Sequence, residues 1–256
     1  MPRTEMPTKV LSGEEVERYR REGFLLLDRP VIPADALKEV RDQIDNLFDH
    51  FQRLAPRYAR DLAPGARAGE PPRIPEIDVP SKFAPKLMES PVLNICTRIA
   101  RELHGPDVEL TWDHAIYKPP LNEAATPWHQ DAAYAEPGQD SVGMWVPLQD
   151  VSADQACMRF VPGSHRLGLA THAHLASESN PGLLGAQVDE TAVVNCPVSA
   201  GGLVLHNDMT LHSTGPNLGT ETRRVWILNV GIRRPTARAK LYDLRVAATR
   251  PWLTRA

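Results

Sequence analysis

The second half of the sequence consists of short apolar runs, and this pattern constrains the fold more than any other feature. Gly, Pro, Asn and Asp residues separate six such runs: VELTWDHAIYK, VGMWVPLQDV, CMRFVP, TAVVNCPV, GGLVLH and RRVWILNVGI. Runs of this length between turn residues are typical of β-strands. Several short strands, with helices mostly in the first half, predict a mainly β fold, a sandwich or barrel buttressed by helices.

The first half of the sequence carries helical patterns instead. Ser12 precedes Gly-Glu-Glu in the manner of a helix N-cap, and apolar residues recur at helical spacing over 33–54 and 91–103. The run FLLLDRPVI lies between the first two of these stretches and suits a strand. We therefore expect three helices ahead of the β-rich half.

The segment 55–80 follows neither pattern. Its apolar periodicity stops, and its prolines argue against a continuous helix or a central strand. We interpret it as a long surface segment, either a lid or an unstructured excursion, because loops of this length are uncommon unless they are functional or disordered.

The size of the chain favours one domain. With 256 residues and 42% hydrophobic content, the sequence can bury a sizeable core, and barrels and sandwiches of this length are common as single units. We predict a single domain over 1–256, with a helical part at about 1–105 and a β core at about 106–240.

Charge and cysteine usage exclude several classes of protein. The formal charge of -3 and the pI near 6.3 supply no basic field, so nucleic acid is not an expected partner. Cys96, Cys157 and Cys196 form no CxxC pair, which favours buried free thiols over disulfides or a thiolate zinc site. The sequence shows neither an apolar signal core at MPRTEMPTKV nor a membrane-length apolar stretch, so we expect a cytoplasmic protein and no membrane partner.

The triplet His129-Gln130-Asp131 is the main candidate for metal chemistry. On an extended backbone its first and third side chains fall on the same side, because strand side chains alternate. Two histidines and one carboxylate form the facial triad of non-haem Fe(II) sites. We choose His212 as the second imidazole, because it follows the strand GGLVLH and precedes turn residues. Alone, such a triplet is a weak motif that also fits surface or hydrogen-bonded roles.

Four motifs in order make the signal more specific. They are HQD at 129–131, WVPLQDV at 145–151, FVPGSHRLG at 160–168 and HSTGPN at 212–217. Together they resemble the phytanoyl-CoA dioxygenase family of Fe(II)/2-oxoglutarate oxygenases, with fainter likeness in GFLLLD and in YKPP at 117–120. The resemblance implies a double-stranded β-helix, the cupin-like jelly roll, which agrees with the strand pattern.

The resemblance also implies a set of cofactor contacts. The family's 2-oxoglutarate is anchored by an arginine eleven residues after the distal histidine, which here is Arg223, with Arg224 as the fallback. A guanidinium suits a carboxylate because it is planar, permanently charged and able to donate two parallel hydrogen bonds. Strand alternation sends these neighbours to opposite faces, so only one can point inward. Thr214 matches a position where the family often has a hydroxyl bonded to the same carboxylate.

Two more residues are candidates for the cofactor pocket. Trp145 matches an aromatic position near the family's cofactor, and filling the barrel core is the equal alternative. His114 shares strand parity with Trp112 and Ile116, so it looks inward near the cofactor or is a satisfied core histidine.

Outside the candidate site, three positions carry structural expectations. His165, in PGSH, is assigned a structural role, although the family's histidine often borders the substrate space. Ala156 stands where the family usually has glycine, a departure that touches no candidate ligand. We interpret Lys118 as a solvated charge outside the site.

A second HxD triplet, His206-Asn207-Asp208, competes with the first. We favour His129 and Asp131, because choosing His206 would leave Arg223 without its expected offset from the distal histidine.

The implied reaction uses Fe(II), 2-oxoglutarate and O₂, and releases succinate and CO₂. The family resemblance implies that the chain hydroxylates a small organic substrate, or otherwise oxidises it by hydrogen abstraction. We prefer a specialised-metabolism intermediate, with the segments 55–80 and 169–190 as its determinants. The alternative is a non-redox metal-binding jelly roll, such as a cupin-like isomerase or a ligand-binding module.

Overall fold

The computed structural model describes residues 9–233 except 68, 136–138, 176–177 and 179. Its helices are α1 (Gly13–Glu22), α2 (Ala34–Asp49), α3 (Pro80–Phe83) and α4 (Pro91–His104). Its strands are β1 (Phe24–Leu27), β2 (Ala59–Asp61), β3 (Pro75–Asp78), β4 (Glu109–Lys118), β5 (Thr126–His129), β6 (Gln139–Pro147), β7 (Met158–Phe160), β8 (His172–His174), β9 (Leu184–Ala186), β10 (Val194–Cys196), β11 (Leu203–Asn207), β12 (His212–Thr214) and β13 (Arg223–Arg233). The six predicted strand runs are confirmed.

The three predicted helices are present as α1, α2 and α4. At the start of α1 the Ser12 hydroxyl accepts from the Glu15 N–H while the Glu15 carboxylate accepts from the Ser12 N–H, which is a capping box. At the start of α4 the Ser90 hydroxyl accepts from the Leu93 N–H, and Pro91 is the first residue of the helix. Within the described residues, no helix is long and apolar enough to cross a membrane.

Two antiparallel sheets form the β core. The larger has the strand order β1-β11-β6-β13-β4-β3-β2, and the smaller has the order β10-β7-β12-β5. The Phe24 ring of the first sheet stacks on Phe160 of the second, with ring centroids 4.4 Å apart. The mainly β jelly roll with buttressing helices is thus confirmed. The single-domain boundaries stay a prediction, and 234–256 lies outside the described residues.

Strand alternation divides the core into two layers. Along β13, Val225 and Ile227 pack between the two sheets, whereas Trp226 and Leu228 pack with α2 and α4. Arg223 lies two residues before Val225 on the same strand, so its side chain also lies between the two sheets. Arg224 instead reaches α2, where its Nε donates to Asp45 Oδ1 at 3.0 Å.

The prediction of a surface segment at 55–80 is wrong for its second half. Strand β3 pairs with β4, and all four of its residues are buried. Pro75 is tolerated because it is the first residue of the strand. The Asp61 carboxylate accepts N–H bonds from Ala63, Arg73 and Ile74, which ties the intervening loop to β2. The second half of the segment is therefore part of the larger sheet, and it is neither a lid nor an unstructured excursion.

Replacing Ala156 by glycine is expected to leave the free energy of unfolding nearly unchanged, although a fully buried methyl group is lost. Ala156 has φ 59°, a left-handed conformation that costs an L-residue about 1–2 kcal/mol. Glycine removes this strain, but it also removes the methyl group, worth about 0.8 kcal/mol, and adds about 0.4–1 kcal/mol of unfolded-state entropy, so the contributions nearly cancel. Urea unfolding measures the change.

Ala115→Gly is the matched control for this substitution. Ala115 is fully buried in β4, so removing its methyl group is expected to lower the free energy of unfolding by about 1 kcal/mol. Equal destabilisation by both substitutions would contradict the strain at Ala156.

Candidate metal centre

Two neighbouring strands of the smaller sheet carry the predicted ligands. His129 is the last residue of β5, His212 is the first of β12, and the two are directly opposite in the antiparallel pairing. Gln130 is extended, with φ -118° and ψ 133°, so Asp131 returns to the side of His129. The structure brings these three side chains to one point.

The three donor groups face one another at short distances. Asp131 Oδ1 lies 3.6 Å from His129 Nε2 and 3.5 Å from His212 Nε2, and the three potential ligand atoms all lie within 4.8 Å of one another. Each imidazole Nδ1 donates to a carbonyl two residues earlier, His129 to Pro127 at 2.8 Å and His212 to Thr210 at 2.9 Å. Because a carbonyl only accepts, the proton is on Nδ1 and the Nε2 lone pair is free for a metal.

Electrostatics favour the metal-binding forms of two of these groups. Burial, assisted by the nearby His212, lowers the pKa of His129 to about 3, so its ring is neutral at neutral pH. Burial opposes the charge of Asp131, but His212 and His206 outweigh it and hold the pKa of this carboxyl well below its usual range. Burial opposes the charge of His212, but Asp131 outweighs it and raises the pKa of this imidazole, so a metal ion would compete with a proton for its Nε2. With both imidazoles neutral, the two rings and the carboxylate suit Fe(II). That these residues bind iron stays a prediction.

The rival histidine occupies a position that sequence reasoning missed. His206 Nε2 lies 3.1 Å from Asp131 Oδ2, the carboxylate oxygen that does not face the other two imidazoles. Its ring fits over Gly143, where a Cβ atom would lie 2.4 Å from the imidazole. Within the described part of the chain, neither His206 nor Asp208 belongs to the group of potential metal ligands. The geometry favours an orienting contact on the Asp131 carboxylate.

Replacing His206 by leucine is expected to weaken Fe(II) binding by about 10–100-fold, the usual effect of losing a partner that orients a metal ligand. The three ligand side chains stay in place, so binding is weakened and not abolished. Anaerobic Fe(II) titration measures the change.

His165→Leu provides the matched control for His206→Leu. His165 Nε2 bonds to the Arg20 carbonyl at 3.1 Å, and the ring packs against Gly23. It is not among the described residues that line the cavity, in keeping with a structural role. Equal loss of Fe(II) affinity in both variants would contradict the role of His206.

Gln130, the middle residue of the triplet, forms hydrogen bonds that connect the site to two other segments of the chain. Gln130 is fully buried, and its side-chain amide donates to the carbonyls of Gly168 and Met209 while its oxygen accepts from the Ala170 N–H. The segment before His212 is thus tied to the HxD triplet. This explains physically why a polar residue stands between the two ligands.

A cavity of about 410 Å³ opens onto the three ligands, and Arg223 lies in its wall. The guanidinium is 1% exposed, its Nη1 donates to the Ile116 carbonyl at 3.4 Å, and its Nε has no hydrogen-bond partner among the described residues. Its Cζ lies 5.5 Å from the Trp145 ring centroid. Burial lowers the pKa of Arg223, a cost that a bound carboxylate would offset.

The other predicted cofactor contacts also line this cavity. Thr214 Oγ1 donates to Thr126 Oγ1 at 2.9 Å, and both threonines and Trp145 face the cavity. His114 faces it as well, but its Nδ1 lies 2.7 Å from Glu76 Oε1. His114 pairs across β13 with Ile227, four positions from Arg223, so about 13 Å of strand separates them.

The expectation of a solvated Lys118 is wrong. The side chain is fully buried, and its amine donates to the carbonyls of Ala124, Thr214 and Gly215 at 3.2, 3.2 and 2.6 Å. It is directly opposite Arg223 in the β13·β4 pairing. Lys118 thus ties the segment at Ala124 to the end of β12, and it is not among the described residues that line the cavity.

Both segments proposed as substrate determinants contribute to the cavity wall. From the first come Arg60, Leu62 and Glu76, and from the second come Asn180, Leu183 and Leu184.

Comparison with known proteins agrees with this geometry. The sequence profile of the phytanoyl-CoA dioxygenase family matches residues 19–225. Phytanoyl-CoA dioxygenase domain-containing protein 1 of Rattus norvegicus is 33% identical over 122 residues, which is 45% of this chain and 42% of the rat protein. The match therefore spans less than half of that relative.

Solved structures share the fold over nearly the whole chain. EvdO2 from Micromonospora carbonacea var. aurantiaca, solved in complex with 2-oxoglutarate, is 31% identical with a TM-score of 0.73, and the match covers 90% of this chain and 96% of EvdO2. SnoK, a non-haem α-ketoglutarate-dependent carbocyclase from nogalamycin biosynthesis, is 22% identical with a TM-score of 0.70 and 93% coverage of both chains, a likeness that shows the fold alone. On the profile match and the EvdO2 likeness together, the chain belongs to the phytanoyl-CoA dioxygenase family of Fe(II)/2-oxoglutarate-dependent oxygenases.

Proposed function

We propose that this chain holds Fe(II) between His129, Asp131 and His212 and uses 2-oxoglutarate and O₂ to oxidise a small organic substrate. One observation carries the proposal. The two imidazoles, the carboxylate and the buried guanidinium of Arg223 all face the same 410 Å³ cavity. Such a cavity is large enough for a cofactor and part of a substrate together.

The protein's part in this reaction is to bind and orient. The metal with 2-oxoglutarate supplies O₂ activation and hydrogen abstraction from the substrate, with release of succinate and CO₂. Arg223 binds the far carboxylate of 2-oxoglutarate by charge and hydrogen bonding, and the Trp145 ring keeps its guanidinium in place. The Thr214 and Thr126 hydroxyls lie in the same cavity wall and supply further hydrogen bonds to that carboxylate.

His114 is better placed on the substrate side than on the cofactor side. Its bond to Glu76 and its distance along the strand from Arg223 support this assignment. We also propose that the substrate is an intermediate of specialised metabolism. Among the oxidations that begin with hydrogen abstraction, we propose hydroxylation. A cytoplasmic location stays a prediction.

Anaerobic titration of Fe(II) and then 2-oxoglutarate into the metal-free protein tests the proposal. We expect a visible charge-transfer band that needs both components, followed by succinate formation when O₂ is admitted. A non-redox jelly roll would bind the metal without giving that band or succinate. Absence of the band would therefore reject the oxygenase and favour a binding module.

A further inference from the structure

The cavity has a second polar region, away from Arg223, that the cofactor contacts leave unused. Four neighbouring strands of the larger sheet build it, β2, β3, β4 and β13, and we call it the distal wall. It consists of Arg60, Glu76, Trp112, His114 and Asn229, all of which line the cavity.

The charges of the distal wall are paired with each other. Glu76 is 2% exposed, and its Oε2 binds Arg60 through Nη2 at 2.7 Å and Nε at 2.9 Å, while its Oε1 accepts from His114 Nδ1 at 2.7 Å. Burial opposes the charge of Glu76, but Arg60 and His114 outweigh it and lower the pKa to about 2. Glu76 is therefore a carboxylate at neutral pH, and it neutralises Arg60.

No lysine or arginine is left to receive an anionic group of the substrate. Among the described residues that line the cavity, Arg60 and Arg223 are the only ones of these two types. Arg60 is bound to Glu76, and Arg223 is assigned to the cofactor carboxylate. A carboxylate or phosphate placed against the distal wall would meet an ion pair whose charge is already balanced, so it would be desolvated without gaining an unpaired cation.

Asn229 shows what the wall can bind instead. Asn229 is among the residues that line the cavity and is 7% exposed, and its Oδ1 is buried with no hydrogen-bond partner among the described residues. It stands opposite Trp112 on one neighbouring strand and Gly143 on the other. Leaving a buried carbonyl oxygen without a hydrogen-bond donor costs about 1–3 kcal/mol of free energy. Binding of a ligand O–H or N–H group to this oxygen is therefore favourable.

We infer that the distal wall is the recognition site for an uncharged, hydroxyl-bearing part of the substrate, which donates a hydrogen bond to Asn229 Oδ1. This inference rests on the proposed function, because it assigns Arg223 to 2-oxoglutarate. It excludes substrates that present a carboxylate or phosphate to this wall. The ionised Glu76 orders Arg60 and His114, and so provides polar groups without net charge.

Matched pairs of small molecules test the inference. Each pair shares one skeleton and differs in a CH₂OH against a CO₂⁻ group, for example benzyl alcohol with benzoate and methyl glucoside with methyl glucuronide. The readouts are a shift of the Fe(II)/2-oxoglutarate charge-transfer band and stimulation of succinate formation. We expect neutral members to act at concentrations at least tenfold lower than their acids. The inference is overturned if the acids act at equal or lower concentrations, or if no neutral member shifts the band or stimulates succinate formation.

Two variants sharpen this test. Asn229→Leu is expected to raise the half-effective concentration of a responding alcohol about tenfold, while Asn94→Leu, an exposed position on α4, leaves it unchanged. Glu76→Gln removes the charge that neutralises Arg60, so it is expected to shift the preference toward the acids by at least tenfold. An Asn229→Leu protein that responds like the Asn94→Leu control overturns the inference even if Glu76→Gln fails to fold.

The failure of this inference can be told apart from failure of the proposed function. If the charge-transfer band forms but the acids are preferred, the oxygenase assignment stands and the substrate assignment falls. If the band does not form at all, the proposed function itself falls, and this inference falls with it.

Discussion

Replacing Asp131 by asparagine is expected to abolish Fe(II)-dependent succinate formation, with a loss of about a thousandfold or more in turnover. Asp131 Oδ1 is the atom that faces both His129 and His212, at 3.6 and 3.5 Å. Asparagine keeps the shape of the side chain but removes the negative charge, and catalysis by a bound metal is worth several kcal/mol. Anaerobic titration gives the Fe(II) affinity, and chromatography of succinate gives the turnover.

The matched control is Asp208→Asn, which removes the carboxylate of the competing triplet. Asp208 is buried and, like Asp131, lines the cavity, but it is not part of the ligand group in the described structure. We expect the Asp208→Asn protein to keep the charge-transfer band. Loss of the band in this variant, with a normal band in Asp131→Asn, would transfer the metal site to the second triplet.

Local patterns predicted six strand runs and, together with the family resemblance, the candidate ligands. The period of two in a strand places the first and third residues of HQD on one side, and it separates Arg223 from Arg224. The structure shows Arg223 in the cavity and Arg224 on α2. These inferences needed only the residues within one strand, together with the order of four short motifs.

Contacts between distant segments could not be predicted in this way. Lys118 reaches carbonyls 96 and 97 positions later, and His206 reaches a carboxylate 75 positions earlier. Such contacts depend on which strands become neighbours, and no local signal distinguishes them from a solvated charge or a rival ligand. Strand β3 was missed for a related reason. Its sequence, Pro-Glu-Ile-Asp, is not typical of a buried strand, and its two carboxylates are buried because distant residues bind them, Arg60 and His114 at Glu76 and Trp112 at Asp78.

Replacing Arg223 by methionine is expected to raise the apparent dissociation constant of 2-oxoglutarate about a hundredfold, which corresponds to about 3 kcal/mol. Of the two arginines among the described residues that line the cavity, Arg60 pairs with Glu76, whereas Arg223 Nε has no hydrogen-bond partner. Removal of Arg223 would therefore leave the far carboxylate of the cofactor without its charged partner. Arg223→Lys restores the charge but cannot donate two parallel bonds from one planar group, so we expect only partial recovery. The intensity of the charge-transfer band, followed against 2-oxoglutarate concentration, measures both variants.

The adjacent Arg224→Met variant separates this effect from a general loss of stability. Arg224 lies on the opposite face of β13, and its ion pair with Asp45 is about one third exposed, so its loss is expected to cost no more than about 1 kcal/mol of folding free energy. Its affinity for 2-oxoglutarate should match that of the wild-type protein. If Arg223→Met binds 2-oxoglutarate normally while Arg224→Met does not, the outward-facing arginine is the anchor, and the orientation of β13 relative to the cofactor must be reversed.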